Sequence, residues 1–455
     1  MHGRRAGRAR AGTDRRDAMR PHDTRTAGVN LPSGRRHLPR RAACAALLCA
    51  GLGASAGLPG CATPAPAPAA PVRLVVGDEP LGLEAAARAI GADLASQLRI
   101  AAARPAAGAA LQAAATAVAA AAAMPKVAID PFVDAQNGYG TRASLRMQDG
   151  VAAALREAAA GLQTAPLAPA TLAEARLVMV GSVASEPRAG APLYRLQAAL
   201  VEPDSGRVVA QSSAWLSDRA PDMTPLPAWR DNPLFINDRV ARALVATSRT
   251  PAGGQAGASW LAQLPAQALV SAALDAAADD PRAALALYRQ AAGLPEGRTL
   301  RTLSGLYMAQ VRLGSLADAE KTFGELIAVA IAENNLSVRF LFAVDSIDFF
   351  ADARLAQQYR IWVRQIAQHV ARSRTCLEVQ GHSSRSGDER YNTQLSLQRA
   401  EAVRRLLVAE APSVASLVRV TGRGFRDNLV GSGTDDARDA VDRRVDFRVL
   451  DCAAR

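Results

Sequence analysis

Residues 377–400 read LEVQGHSSRSGDERYNTQLSLQRA, and this stretch decides the fold of the C-terminal quarter of the 455-residue chain. Leu377 and Val379 alternate with Glu378 and Gln380, the period-two pattern of a strand with one face buried. Gly381-His382-Ser383-Ser384 and a loop through Gly387 then break the pattern. From Tyr391 to about Val408 the apolar spacing becomes helical. Upstream, Phe340–Ser346 reads as a strand, and residues 351–373 as a helix with Leu355, Ile361, Val363, Ile366 and Val370 on its apolar positions. Downstream, Val418–Gly424 and Arg444–Leu450 read as strands. The order strand, helix, strand, helix, strand, strand predicts a βαβαββ α/β domain over 336–455.

This ordered set resembles the OmpA-like peptidoglycan-binding domain shared with Pal and MotB. FLFAVDS, GHSS, YNTQLSLQRA, GRG and DRRVDFRV fall in sequence over about 115 residues, which is more specific than any single short motif. The resemblance implies non-covalent binding of the free diaminopimelate end of a peptidoglycan stem peptide, a group carrying both carboxylate and ammonium. It gives Arg399 the role of meeting the carboxylate through two parallel charge-assisted hydrogen bonds. Asn392 lies seven residues earlier, on the same helical face. The family's acidic residue, which meets the ammonium, falls on Ser384, and here the chain departs: serine accepts a hydrogen bond but brings no charge. Asp388 or Asp345 could supply the charge, though neither stands at the motif position. Ser383 and Gly381 complete the loop side of the expected site. Arg443 and Arg444 either help hold the wall or cap a strand, and His382 reads as structural.

Ahead of this domain the chain reads as two further modules. Residues 72–220 alternate strands and helices: a helix over 81–99, a strand at Lys126–Asp134, a helix around Ser144–Ala160, and strands at Arg176–Val183, Tyr194–Val201 and Val208–Leu216. Pro203-Asp204-Ser205-Gly206 is the turn of a hairpin. The expected fold is an α/β sandwich, and the run resembles FlgO, LpoB and CsgG-type lipoprotein modules, which bind partner proteins or build envelope assemblies. Asp130 and Asp134 read as end-of-strand turn residues, because no His or further acid lies at matching spacing to make a general acid–base pair. Residues 259–335 read as helical. Ala284 and Tyr288 recur as Ala319 and Phe323 thirty-five positions later, with Gly314 five before Ala319. This resembles the tetratricopeptide pattern, in one and a half to two units. The alternative is an ordinary helical hairpin; either implies scaffolding or docking.

The net charge of +12 belongs mostly to the leader: residues 1–60 hold twelve Arg against Asp14, Asp17 and Asp23. With no basic stripe carrying interleaved aromatics in the body, no nucleic-acid partner is expected. Arg35, Arg36, Arg40 and Arg41 precede the apolar stretch Ala42–Gly57, the layout of a secretory signal, with Met19 a plausible start upstream. Leu58-Pro59-Gly60-Cys61 resembles a bacterial lipobox, so residues 1–60 are expected to be a signal segment and Cys61 the lipidated N-terminus. Residues 61–71 read as an extended Pro/Ala tether. The sorting rule that comes with that resemblance makes Asp after the cysteine an inner-membrane signal; Ala62 implies the outer membrane, with the protein facing the periplasm. Of five cysteines, Cys44 and Cys49 leave with the signal and Cys61 takes lipid. Cys376 and Cys452 remain, both at sheet ends, and are expected to pair in an oxidising compartment, the alternative being two buried free thiols.

With five His and no Cys/His cluster, neither a metal nor another cofactor is expected, and no nucleophile–base pattern points to catalysis. The expected function is that of an outer-membrane lipoprotein binding peptidoglycan. The rival is a periplasmic assembly factor whose middle segments bind an unidentified protein partner while the wall is held weakly.

Overall fold

The computed structural model describes residues 76–103, 126–188, 191–429, 431, 433–434 and 437–452. The signal, the lipidation position Cys61 and the Pro/Ala tether lie outside the described residues.

The first sheet contains β1 (Lys126–Ile129), β2 (Val133–Asp134), β3 (Gln163–Pro166), β4 (Leu177–Arg188), β5 (Ala191–Val201) and β6 (Val208–Trp215). Its order is β3-β1-β4-β5-β6, with β2 also pairing to β4. β1 runs parallel to both neighbours, whereas β4, β5 and β6 form an antiparallel meander. Helices α1 (Leu83–Ala103) and α2 (Arg142–Ala158) cover one face, where Ile90, Leu94, Met147, Val151 and Leu155 meet Met179, Leu196 and Leu200. The shortage of aromatics is met by close approach: a Cβ on Gly91 would lie 2.6 Å from Ala154 Cβ, so the two helices touch almost backbone to backbone. Thr141 and Ser144 form a reciprocal capping box that starts α2.

The opposite face of this sheet is covered from later in the chain. Ala128, Val178, Val180 and Val208 pack against Leu244, Trp260, Leu264 and Ala268. The covering elements follow the short α3 (Pro169–Glu174) and α4 (Pro227–Arg230): they are α5 (Arg239–Arg249), α6 (Ala258–Ala262) and α7 (Leu264–Ala276). Burial on both faces explains why Leu177 to Ala184 is an unbroken buried run instead of an alternating one. Asp134 does fix a turn, accepting the Gln136 N–H and the Asn137 Nδ2. Asp130, read as a turn residue, is instead buried under the helices and accepts the Trp260 Nε1–H at 2.8 Å.

α7 pairs with α8 (Pro281–Gly293), and α9 (Leu300–Arg312) with α10 (Leu316–Ala332), giving two helical hairpins. Ala284, Tyr288, Ala319 and Phe323 are all buried. Gly305 faces the Tyr288 ring at a distance no Cβ could occupy. The core does not divide at residue 336. Phe323 of α10 stacks on Trp362 of α11 (Ala353–Ser373) with centroids 5.7 Å apart, and Trp362 Nε1 donates to Tyr307 Oη at 2.7 Å. Arg364 grips Glu320 through two bonds of 2.6 and 2.9 Å. Tyr139 and Trp229, from further upstream, belong to the same cluster.

The second sheet has the order β7-β10-β8-β9, from β7 (Phe340–Leu341), β8 (Cys376–Gly381), β9 (Val418–Gly422) and β10 (Arg444–Leu450). β8 is parallel to β9 and antiparallel to β10. Helices α11 and α12 (Glu389–Glu410) lie on the face formed by Leu377, Val379, Val445 and Phe447. The first strand is far shorter than the expected 340–346. After Leu341 the chain turns back, with Asp345 in the left-handed region at φ 51°. Cys376 and Cys452 form a disulfide with Cα atoms 5.3 Å apart, tying the start of β8 to the chain beyond β10.

Candidate functional site

At the end of β8 the chain passes against α12 with no room for a side chain. A Cβ on Gly381 would lie 1.8 Å from the Ser396 carbonyl oxygen, so only glycine fits. Ser396 Oγ accepts the Gly424 N–H at 2.9 Å, and the Ser383 N–H donates to the Gly424 carbonyl at 2.9 Å. The loop from 382 to 384 is thereby wedged between α12 and the end of β9.

The loop that follows is braced from inside α12. Asp388 caps the helix, accepting the Tyr391 N–H at 2.9 Å. Asn392 Nδ2 donates to the Ser386 carbonyl at 2.6 Å and to the Asp388 carbonyl at 3.0 Å. Ser384 is 5% exposed and its hydroxyl lies 3.4 Å from that of Ser386. The Ser383 hydroxyl is buried and has no hydrogen-bond partner among the described residues.

Arg399 is the largest difference between expectation and geometry. Its side chain is fully buried, at 0% exposure. The guanidinium donates from Nε to the Ser346 carbonyl at 2.9 Å, from Nη2 to Ala343 at 3.0 Å and from Nη1 to His382 at 3.2 Å, and lies over the Phe342 ring. The physical reason is the early end of β7: the returning loop 343–346 turns its carbonyls onto α12, where they need a donor. These bonds join the chain to itself.

Arg444 is also inward, at 3% exposure. Its Nε donates to Asp446 at 3.0 Å and its Nη2 to the Asp427 carbonyl at 3.2 Å. Burial alone would raise the Asp446 carboxyl, but charge and hydrogen bonds from His382 and Arg444 hold it down at about 2. The His382 ring, 3.1 Å from Asp446 through Nε2, serves this buried cluster.

The structure thus brings Gly381, Ser383, Ser384, Asn392 and Arg399 to one place, with Arg444 joined to it through His382, whose N–H donates to the Arg444 carbonyl at 2.8 Å. Sequence reasoning left out Tyr391, and it gave Asp345 only as an acid away from the motif position. The Tyr391 hydroxyl donates to the Asp345 carboxylate, closing a link from α12 to the loop 343–350. Around that link Val344, Ile347, Phe350 and Tyr391 are exposed, a hydrophobic lip. Of these four, only Val344 falls in the 340–346 segment that reads as a strand; Ile347, Phe350 and Tyr391 lie outside it. Among the described residues no group of His, Cys, Asp and Glu is placed to hold a metal ion. No helix among them is long and apolar enough to cross a membrane.

Residues 349–442 match the OmpA family. Among solved structures, the peptidoglycan-associated lipoprotein from Burkholderia pseudomallei is 26% identical, over 25% of this chain and 89% of that one, with a TM-score of 0.22. The cell wall anchor of the T6SS from Pseudomonas aeruginosa is 25% identical, over 25% of this chain and 78% of that one, with a TM-score of 0.21. The OmpA-like domain of a Francisella tularensis protein is 21% identical, over 25% of this chain and 73% of that one, with a TM-score of 0.20. No curated protein matches the chain.

Proposed function

We propose, from the OmpA family domain at residues 349–442, that the protein binds peptidoglycan non-covalently, and that it is a binding protein with no catalytic role. The observation that carries this reading is the convergence of Gly381, Ser383, Ser384 and Asn392 above the buried Arg399, at the place where the β8 loop opens onto the start of α12. The Arg399 charge lies beneath the loop, so a stem-peptide carboxylate entering there meets a positive potential and the unpartnered Ser383 hydroxyl. A direct two-pronged contact with Arg399 requires the loop 343–346 to release the guanidinium. The ligand is then the diaminopimelate end of the stem peptide.

In this reading Cys61 carries lipid and holds the protein in the outer membrane, facing the periplasm. The two hairpins of residues 264–332, with buried Ala and aromatic residues recurring every thirty-five positions, support a tetratricopeptide-type docking segment for a protein partner. The first sheet and its helices take the place of the FlgO/LpoB-like module.

The test is co-sedimentation with purified sacculi. The protein should pellet with sacculi and be released by the diaminopimelate tripeptide. A protein that stays in the supernatant removes wall binding and leaves the assembly-factor reading. Lipidation is tested separately: Cys61→Ala should leave an unprocessed or soluble precursor, and an unmodified N-terminus downstream of Cys61 refutes the anchor.

A further inference from the structure

A zwitterionic stem end needs an anion for its ammonium as well as a partner for its carboxylate, and position 384 supplies none. Among the described residues, three acids around the loop are committed elsewhere. Asp388 caps α12. Asp446 lies between His382 and Arg444. Asp442 accepts the N–H groups of Leu429 and Gly431 from the loop before β10. Asp345 differs from all three. Its carboxylate stands at the exposed rim, and its hydrogen-bond donor is the hydroxyl of Tyr391, itself 52% exposed.

Two further facts fix this carboxylate in place. Asp345 has φ 51°, in the left-handed region that Asp enters more readily than most residues, and this backbone turn sets where its carboxylate stands. The backbone on both sides is held by one buried guanidinium, since Arg399 takes the carbonyls of Ala343 and Ser346. The negative charge is therefore set near the positive one by the fold itself, not by a flexible side chain.

We propose that Asp345, steadied by Tyr391, is the ammonium-binding group of this pocket, replacing a charge that Ser384 cannot provide. The inference rests on the peptidoglycan reading above and assigns the specificity for a free amino group to the loop between β7 and α11.

The experiment titrates the full chain with L-alanyl-γ-D-glutamyl-meso-diaminopimelic acid and with the same tripeptide acetylated on its free side-chain amine. Asp345→Asn keeps an oxygen for Tyr391 and tolerates positive φ, so its melting temperature should match wild type. It should bind the free tripeptide about tenfold or more weakly, with the acetylated one unchanged, because a charge-assisted contact is lost only where the ammonium exists. Ser384→Asp in the Asp345→Asn background should recover binding of the free tripeptide. If Asp345→Asn binds the free tripeptide as wild type does, or weakens both peptides equally, the inference is overturned while the wall-binding reading stands. If wild type binds neither tripeptide nor sacculi, that reading falls and takes this one with it.

Discussion

Replacing Arg399 with alanine should destabilise the C-terminal domain before it says anything about ligand. The side chain makes three charge-assisted hydrogen bonds to carbonyls of His382, Ala343 and Ser346. Bonds to a charged group contribute about 1.5–3 kcal/mol each. Ala343 and Ser346 lie on a half-exposed loop, so water can rehydrate those two carbonyls and their loss counts at the low end. His382 is buried, and its carbonyl is left to bear a desolvation cost of roughly 1–3 kcal/mol. Loss of the guanidinium over Phe342 adds roughly 0.5–2 kcal/mol. The total, about 4.5–8 kcal/mol, is a large part of the roughly 5–15 kcal/mol that holds a typical domain together. Urea denaturation followed by tryptophan fluorescence measures it. Arg399→Lys should recover only part, because one ammonium cannot serve three carbonyls spread around a planar fork. A loss below about 1 kcal/mol for Arg399→Ala would show that water or the loop replaces the guanidinium freely, and the account of Arg399 as the clasp of loop 343–346 would be wrong. The result also governs binding assays, since lost sacculus binding in this variant is interpretable only if the loop is still folded.

Gly381→Ala should unfold or strongly destabilise the domain, since the new Cβ would lie 1.8 Å from a helix carbonyl; a melting temperature equal to wild type refutes the close approach. Reducing the Cys376–Cys452 disulfide, which closes a loop of 76 positions, should cost roughly 4 kcal/mol on the chain-entropy model, read as a shift of the urea midpoint with and without reductant; two reactive thiols in the unreduced, unfolded protein would refute the bond. Burial raises the Asp134 carboxyl from 3.8 to about 6, against the opposing hydrogen bonds of Gln136 and Asn137. A raised folded value means stability that is intact below about 3.8 and lost as pH climbs through 6, by roughly 3 kcal/mol in full; the urea midpoint against pH should show that fall, and Asp134→Ala should lack it. Phe323→Ala should cost about 3–5 kcal/mol and lower the stability of the helical hairpins and of the C-terminal domain together; two separated transitions, with only the hairpins affected, would refute a shared core.

The C-terminal domain was legible because its signals are local. Alternation at Leu377 and Val379, the glycine at 381 and the helical spacing from Tyr391 each report on a few neighbouring residues, and β8 and α12 begin and end close to where those patterns do. The pairing of Cys376 with Cys452 followed from counting cysteines in an oxidising compartment. What escaped depends on distant partners. Nothing near Arg399 in sequence reveals that carbonyls more than fifty positions upstream will claim its guanidinium. Asp130 looks like a turn acid until Trp260, 130 positions on, donates to it. The strand β3 lies in a segment without clean alternation and forms at the sheet edge beside β1, whereas α5 does carry a helical stripe, Val240, Ala241, Leu244, Thr247 and Ser248, that the reading of the sequence passed over. The boundary drawn at residue 336 was a boundary of pattern, and hydrophobic burial runs straight across it.

That continuity has a mechanical consequence. A pull applied at the β8 loop enters α12 and the second sheet, then crosses to α10 through the Phe323–Trp362 stack and the Arg364–Glu320 pair. It reaches the first sheet through α7 and α5, which pack on its far face. Along this route the described residues offer no slack linker to extend, so load is shared by interlocked side chains and the first yielding event has to break an interface.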